Sequence, residues 1–191
     1  MLTHKPSTRS AGRGRKPRRK RLLRVHALSA AATRGMLALG TLRLPCALGR
    51  SGRRAMKREG DGATPAGLFT LCDVIFRPDR LRRPQTGLRV SAARTWDGWC
   101  DDAQDGNYNR KVRLPYPASA ETLWRDDHIY DVVIVLDHNR RPRARGRGSA
   151  IFMHVAQPAY TPTAGCIALS ASHLKRLLRL IGQPTKIYIP R

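Results

Sequence analysis

The chemistry of this chain concentrates between Ile151 and Leu169, where the sequence reads I-F-M-H-V-A-Q-P-A-Y-T-P-T-A-G-C-I-A-L. His154 ends an apolar, strand-like run. A loop carrying Pro158 and Pro162 follows, then the turn Thr163-Ala164-Gly165-Cys166, then a helical pattern. The thiolate is the reactive form of cysteine, and a neighbouring imidazole can take the thiol proton. Cys166 is therefore the candidate nucleophile and His154 the candidate base. A thiol at such a turn is expected to be exposed between buried flanks. Gly165 permits close backbone approach, so amides near Cys166 can converge on one developing oxyanion. Gly165 and Thr163 are the candidates for that oxyanion and positioning role. A lone cysteine and a lone histidine belong more often to a core, so the case rests on the residues around them.

The 191-residue length suits one domain with a tail, and a 41% hydrophobic share is enough for a core. The net charge of +24 favours polyanionic partners: nucleic acid, an anionic membrane surface or an acidic wall polymer. An arginine-rich surface with no such partner accounts for it equally well. Cys46, Cys72, Cys100 and Cys166 contain no C-x-x-C pair, so no zinc site is indicated. No stretch approaches the roughly 18 uncharged apolar residues of a transmembrane helix. The run from Leu22 to Leu39 follows a basic stretch, but Arg24, His26 and Arg34 interrupt it, which makes it a poor secretory signal. Residues 1–21 carry Lys5, Arg9, Arg13, Arg15, Lys16, Arg18, Arg19, Lys20 and Arg21 with no acid. They read as a disordered basic tail, and residues 22–191 as the folded domain.

The elements that must position the site are mostly strands. Met36–Leu39 and Leu42–Leu44 flank Gly40-Thr41 as a hairpin. Leu68–Ile75, Asp131–Leu136, Ala150–Val155 and Lys186–Ile189 read as further strands, the second as a buried, β-branched run. Ser170 to Ile181 is the one clear helix, with Leu174, Leu177, Leu178 and Ile181 on one face, Ser170 as its cap and Gly182 as its end. Residues 77–119 look like an ordered excursion that carries function. The fold class is mostly β, a sandwich or barrel-like domain with one helix near the C-terminus.

Two segments together resemble one family. Thr163, Gly165 and Cys166 match the [Ser/Thr]-His-Gly-Cys signature of the L,D-transpeptidase catalytic domain, the YkuD-type family, and His154 takes the place of its upstream His. Gly60-Asp61-Gly62-Ala63-Thr64-Pro65-Ala66-Gly67-Leu68-Phe69 is similar to the family's segment around T-P-x-G-x-F. The resemblance covers roughly residues 22–191, loosely over 77–130. The chain departs from the pattern in three ways: Ala164 stands where most members have the second His, Ala168 replaces an Arg or Asn, and the His154–Cys166 loop is short. With Gly98–Asp102 and Leu123–Asp127, these suggest a compact, divergent branch. The resemblance implies a β-rich fold without metal or organic cofactor, acting in the cell envelope. It implies acyl transfer on peptidoglycan stem peptides: Cys166 attacks the carbonyl of the third stem residue, D-alanine leaves, and an amine of another stem, or water, takes the acyl group.

Other residues are candidates for holding substrate. Asp101 and Asp102 can receive its amine end, and Arg147 suits a carboxylate. His138 is either a partner of the site or a turn residue. Asp101, Asp102, Asp105, Asn107 and Asn109 superficially resemble a calcium loop, but Ala103 and Val112 occupy ligand positions, so a hydrogen-bonded turn is the better reading. Trp96, Trp99, Trp124, Tyr108 and Tyr116 read as packing for the excursion. Two other functions remain open: a non-catalytic wall-binding module with a decayed site, and a basic nucleic-acid-binding protein resting on the tail. The basic tail can also meet an anionic polymer or membrane surface. If His154 activates Cys166, a thiol reagent at neutral pH labels Cys166 before the other cysteines.

Overall fold

The computed structural model describes residues 21–191. The tail expected over residues 1–20 lies outside them. Arg21, assigned to that tail from sequence, instead opens the first strand. The strands are β1 (Arg21–His26), β2 (Arg34–Leu39), β3 (Leu42–Ala47), β4 (Arg53–Arg54), β5 (Thr64–Pro65), β6 (Gly67–Phe76) and β7 (Arg89–Ala92). They continue with β8 (Asp97–Cys100), β9 (Lys111–Arg113), β10 (Ala120–Thr122), β11 (Val132–Leu136), β12 (Phe152–Val155), β13 (Ile167–Leu169) and β14 (Thr185–Ile189). One α-helix, α1, spans Ala171–Leu180.

Nine strands form one sheet in the order β11-β12-β13-β3-β2-β1-β14-β6-β7. β11 pairs also with β6, which closes the sheet into a barrel. This is the β-rich fold with a single C-terminal helix that the sequence predicts. The β2–β3 hairpin turns at Gly40, whose φ of 57° suits glycine, with Leu39 facing Leu42. α1 begins at the Ser170 cap, whose side chain accepts from the His173 N–H. It ends one residue earlier than its apolar stripe, with Ile181 extended.

The run from Leu22 to Leu39, legible as a poor signal sequence, is built into the barrel. β1 lies between β2 and β14, and Leu23 and Val25 are buried while Leu22, Arg24 and His26 face solvent. The charges that broke the apolar run are the outward positions of a strand with period two.

Two apolar layers result. The barrel interior holds Leu23, Leu37, Leu44, Leu71, Ile134, Met153, Ile167 and the α1 leucines. The outer face of β11 and β12 carries Val133, Val135 and Phe152, packed under Trp99, Leu123 and Tyr130. β11 is therefore buried on both faces, as its unbroken V-V-I-V-L run requires. The covering residues come from the excursion and from the segment that follows it as far as Tyr130, and the two together supply a small sheet, β10-β8-β9. Its aromatics mainly pack: Trp99 and Tyr108 are buried, and Trp99 meets Phe152 edge-on at 5.0 Å.

Leu23 is fully buried, so truncating it leaves a cavity in the barrel interior. Leu23→Ala should lower the unfolding free energy by about 3 kcal/mol in urea denaturation. An unchanged midpoint would place β1 outside the cooperative unit.

Candidate active site

β12 and β13 run parallel, with Met153 opposite Ile167 and His154 opposite Ala168. Phe152 thus comes level with Cys166, and alternation puts Cys166 and His154 on the same outer face, one diagonal step apart. Ala168 is the small neighbour directly across from the imidazole, and it lines the same cavity. The connection between the strands contains a single 3-10 turn, Pro158–Tyr160.

The cysteine turn is fixed by its backbone. Thr163 Oγ1 donates to the Cys166 carbonyl at 2.7 Å and accepts from the Gly165 N–H at 3.1 Å. Thr64 Oγ1 lies 3.5 Å from the same carbonyl and accepts from the Gly49 N–H at 2.8 Å. The T-P-x-G segment and the cysteine turn are therefore parts of one clamp. Gly165 has a φ of 137°, and a Cβ there would fall 2.8 Å from the Ala63 oxygen, so a larger residue does not fit. Thr163 Oγ1 thus ties the two ends of the turn together. The Gly165 N–H is engaged inside the turn by Thr163 Oγ1.

The thiol is not exposed. Cys166 retains 8% of its accessibility because the excursion covers the strand face on which it sits. Its Sγ donates to the Ala150 carbonyl at 3.2 Å and accepts from the Phe152 N–H at 3.3 Å. Burial, then the Glu121 charge, push the thiol up to about 12, against the Phe152 N–H and Lys57. Burial likewise pushes His154 down to about 4, against its bond to the Val155 carbonyl. The resting pair is a neutral thiol and a neutral imidazole. His154 Nδ1 lies 2.9 Å from that carbonyl, which only a protonated nitrogen can satisfy, so Nε2 is the free, basic nitrogen. Tyr130 meets the imidazole edge-on at 5.3 Å.

His154 and Cys166 open onto one cavity of about 460 Å³. Its wall carries both signs of charge: Arg50, Lys57 and Arg125, with Glu59, Asp101 and Glu121. Asp101 Oδ1 is buried without a hydrogen-bond partner among the described residues. Glu121 accepts from the Tyr130 hydroxyl at 2.6 Å, while burial pushes its carboxyl up.

Among the sequence candidates, the cavity joins Cys166, His154, Thr163 and Asp101. Asp102, Arg147 and His138 lie off it. Asp102 accepts the Gln104 N–H at 2.8 Å in a tight turn, Arg147 is exposed, and His138 Nε2 is 2.9 Å from the Arg147 carbonyl. The polar cluster is indeed a hydrogen-bonded turn, with Asp105 accepting from Asn107 and Tyr116.

Sequence reasoning missed Lys57, Glu121 and Tyr130, and placed Asn109 only in a polar turn. Asn109 is buried; its Oδ1 accepts from Trp99 Nε1 at 3.0 Å and from the Ala150 N–H at 3.1 Å. Its Nδ2 donates to the carbonyls of His138 and Asn139. It thereby holds Ala150, at a φ of 50°, in the orientation that offers its carbonyl to Cys166. No local pattern marks these residues; each acts across a long stretch of chain.

The chain is thus a closed β-barrel with a cysteine turn and a histidine on paired strands that line one cavity. The profile of the YkuD family, described as the L,D-transpeptidase catalytic domain, matches residues 32–189. The chain belongs to that family. Among solved structures, an L,D-transpeptidase from Mycobacterium smegmatis is similar at 12% identity and a TM-score of 0.42, over 90% of this chain and 59% of that one. This chain thus spans less than two thirds of that protein's length. None of the curated proteins compared with it matches.

The geometry reverses the labelling order expected from sequence. Cys72 is the cysteine that is not fully buried. A small thiol reagent at neutral pH should modify Cys72 before Cys166, and Cys166 modification should keep rising as pH climbs toward about 12. Peptide mass analysis reads both; a plateau for Cys166 near neutral pH would contradict the buried, neutral thiol.

His154 also sets a pH window for stability. Its folded pKa of about 4 lies below the unfolded value near 6.5, so the unfolded chain binds the extra proton first. The stability attached to neutral His154 is complete above about pH 6.5 and is lost as pH falls toward about 4, by up to about 3 kcal/mol. In His154→Gln, urea titrations should show that much less loss across the window.

Proposed function

We propose that this chain is a cysteine acyltransferase acting on peptidoglycan stem peptides. The observation that carries the reading is the shared cavity of Cys166 and a His154 whose Nε2 is free, within a chain of the YkuD family. Because the resting pair is neutral, proton transfer belongs to the reaction step itself. His154 Nε2 takes the Cys166 proton as Sγ bonds to the carbonyl carbon of the donor stem. The C–N bond to the terminal D-alanine then breaks, and His154 returns the proton to the leaving amine. A side-chain amine of a second stem attacks the thioester and gives its proton to His154; as the C–S bond breaks, His154 passes that proton to Sγ and the thiol is restored. Water in place of that amine would give the carboxypeptidase outcome.

The cavity wall supports a stem carrying both an amine and carboxylates, such as diaminopimelate. Asp101 and Glu121 can receive the amine, and Arg50 and Arg125 the carboxylates. A substrate of this kind supports a site of action in the cell envelope.

The test is incubation with purified stem peptides and mass analysis of products. Wild type should release D-alanine and join two stems, and Cys166→Ala should lose turnover at least a thousandfold. Turnover surviving in Cys166→Ala would sink the reading; binding without turnover in wild type would favour a wall-binding module. The acid limb of kcat/KM should fall near pH 4, where His154 protonates and stops accepting the thiol proton. A limb near the usual histidine value would assign the base elsewhere.

A further inference from the structure

Lys57, in the loop between β4 and β5, is 4% exposed. Its Nζ donates to Asp61 Oδ1 at 2.7 Å and to the Arg58 carbonyl at 3.3 Å. Asp61 is itself held by the N–H groups of Arg58 and Ala63, each at 2.9 Å. Burial works against the Asp61 carboxylate, but these bonds and Lys57 outweigh it and hold its pKa below the usual value. The lysine stem runs close past Gly148, where a Cβ would come within 2.8 Å of Cε. The ammonium is thus anchored at both ends.

That anchoring brings the charge to the cysteine turn. A Cβ on Gly165 would lie 3.3 Å from Lys57 Nζ, so the ammonium occupies the space beside the glycine that precedes Cys166. An ammonium has three N–H donors. Asp61 and Arg58 take two, and the cavity that Lys57 lines is open to the third. Ala164, where the resemblance puts a histidine, lines the same cavity and offers no charge. Among the wall charges, Glu121 opposes a thiolate at Cys166, and Lys57 favours one.

We propose that Lys57 supplies the fixed positive charge that stabilises the Cys166 thiolate as it forms and the negative charge that passes to the acyl oxygen on attack. The proposal rests on Cys166 being the nucleophile. Lys57 keeps all its protons, and no bond to it forms or breaks: the thiol proton goes to His154. In a water-poor site an anchored charge acts strongly and needs no reorganisation during the step.

Lys57→Gln tests this, because the amide can still donate to Asp61 while the charge is gone. At a fixed mildly alkaline pH, iodoacetamide should alkylate Cys166 at least about tenfold more slowly than in wild type, since an adjacent opposite charge is worth a pKa unit or more. Cys72, measured in the same digest, should keep its rate, which reports an intact fold. With stem peptides, kcat should fall by about the same factor with KM little changed. Lys57→Arg keeps the charge and should restore most of the alkylation rate. Unchanged Cys166 alkylation in Lys57→Gln would overturn the proposal, even where Cys166→Ala abolishes turnover. If Lys57→Gln does not fold, Lys57→Arg decides: a rate near wild type supports the charge, and a loss as large as tenfold overturns it.

Discussion

The parallel pairing of β12 with β13 is the constraint on which the site depends. Parallel neighbours cannot be joined by a tight hairpin, so the chain must leave the sheet and return to start the second strand beside the first. Here it does so without a helix, through a proline-bounded loop and one 3-10 turn. The return delivers Cys166 to the level of Phe152, and the register then leaves His154 a diagonal step away on the same face. Thr163 and Thr64 converge on the Cys166 carbonyl, so the turn is locked to the T-P-x-G segment far away in sequence. A shift of that register by one residue would turn the imidazole into the barrel interior.

The excursion determines the electrostatics. By roofing the outer face of β11 and β12 it removes water from both reactive groups, raising the thiol and lowering the imidazole. The two shifts oppose a resting ion pair. Under the proposed mechanism, such a site would keep its nucleophile protected and draw on charges in the wall, which act more strongly where water is scarce. Asn109 links roof to thiol, since it ties Trp99 and the strained Ala150 whose carbonyl accepts the thiol's hydrogen bond.

Much of this architecture was legible in the sequence because it is local. The hairpin at Gly40, the doubly buried β11, the helix cap at Ser170 and the two motif segments each depend on residues close together in the chain. Periodicity also described β1 correctly once its charges are seen as outward positions; the same charges made it resemble a failed signal. Cys166 and His154 stood out through the two segments that resemble one family, since a lone cysteine and histidine belong more often to a core.

What only the tertiary structure decided is the state of those groups and the company they keep. Exposure of a thiol depends on what covers the strand face, and the cover comes from residues some forty to seventy positions away, a separation no window of sequence reports. The partner of the Gly165 amide, Thr163 Oγ1, is set by the turn's geometry. Asp102, Arg147 and His138 have suitable chemistry and the wrong location. Lys57 and Glu121 look like ordinary surface charges in the sequence, and folding makes them neighbours of the thiol. Burial and through-space charge are properties of the packed chain, and for that reason the sequence determined which atoms can react while the fold decided the field in which they do so.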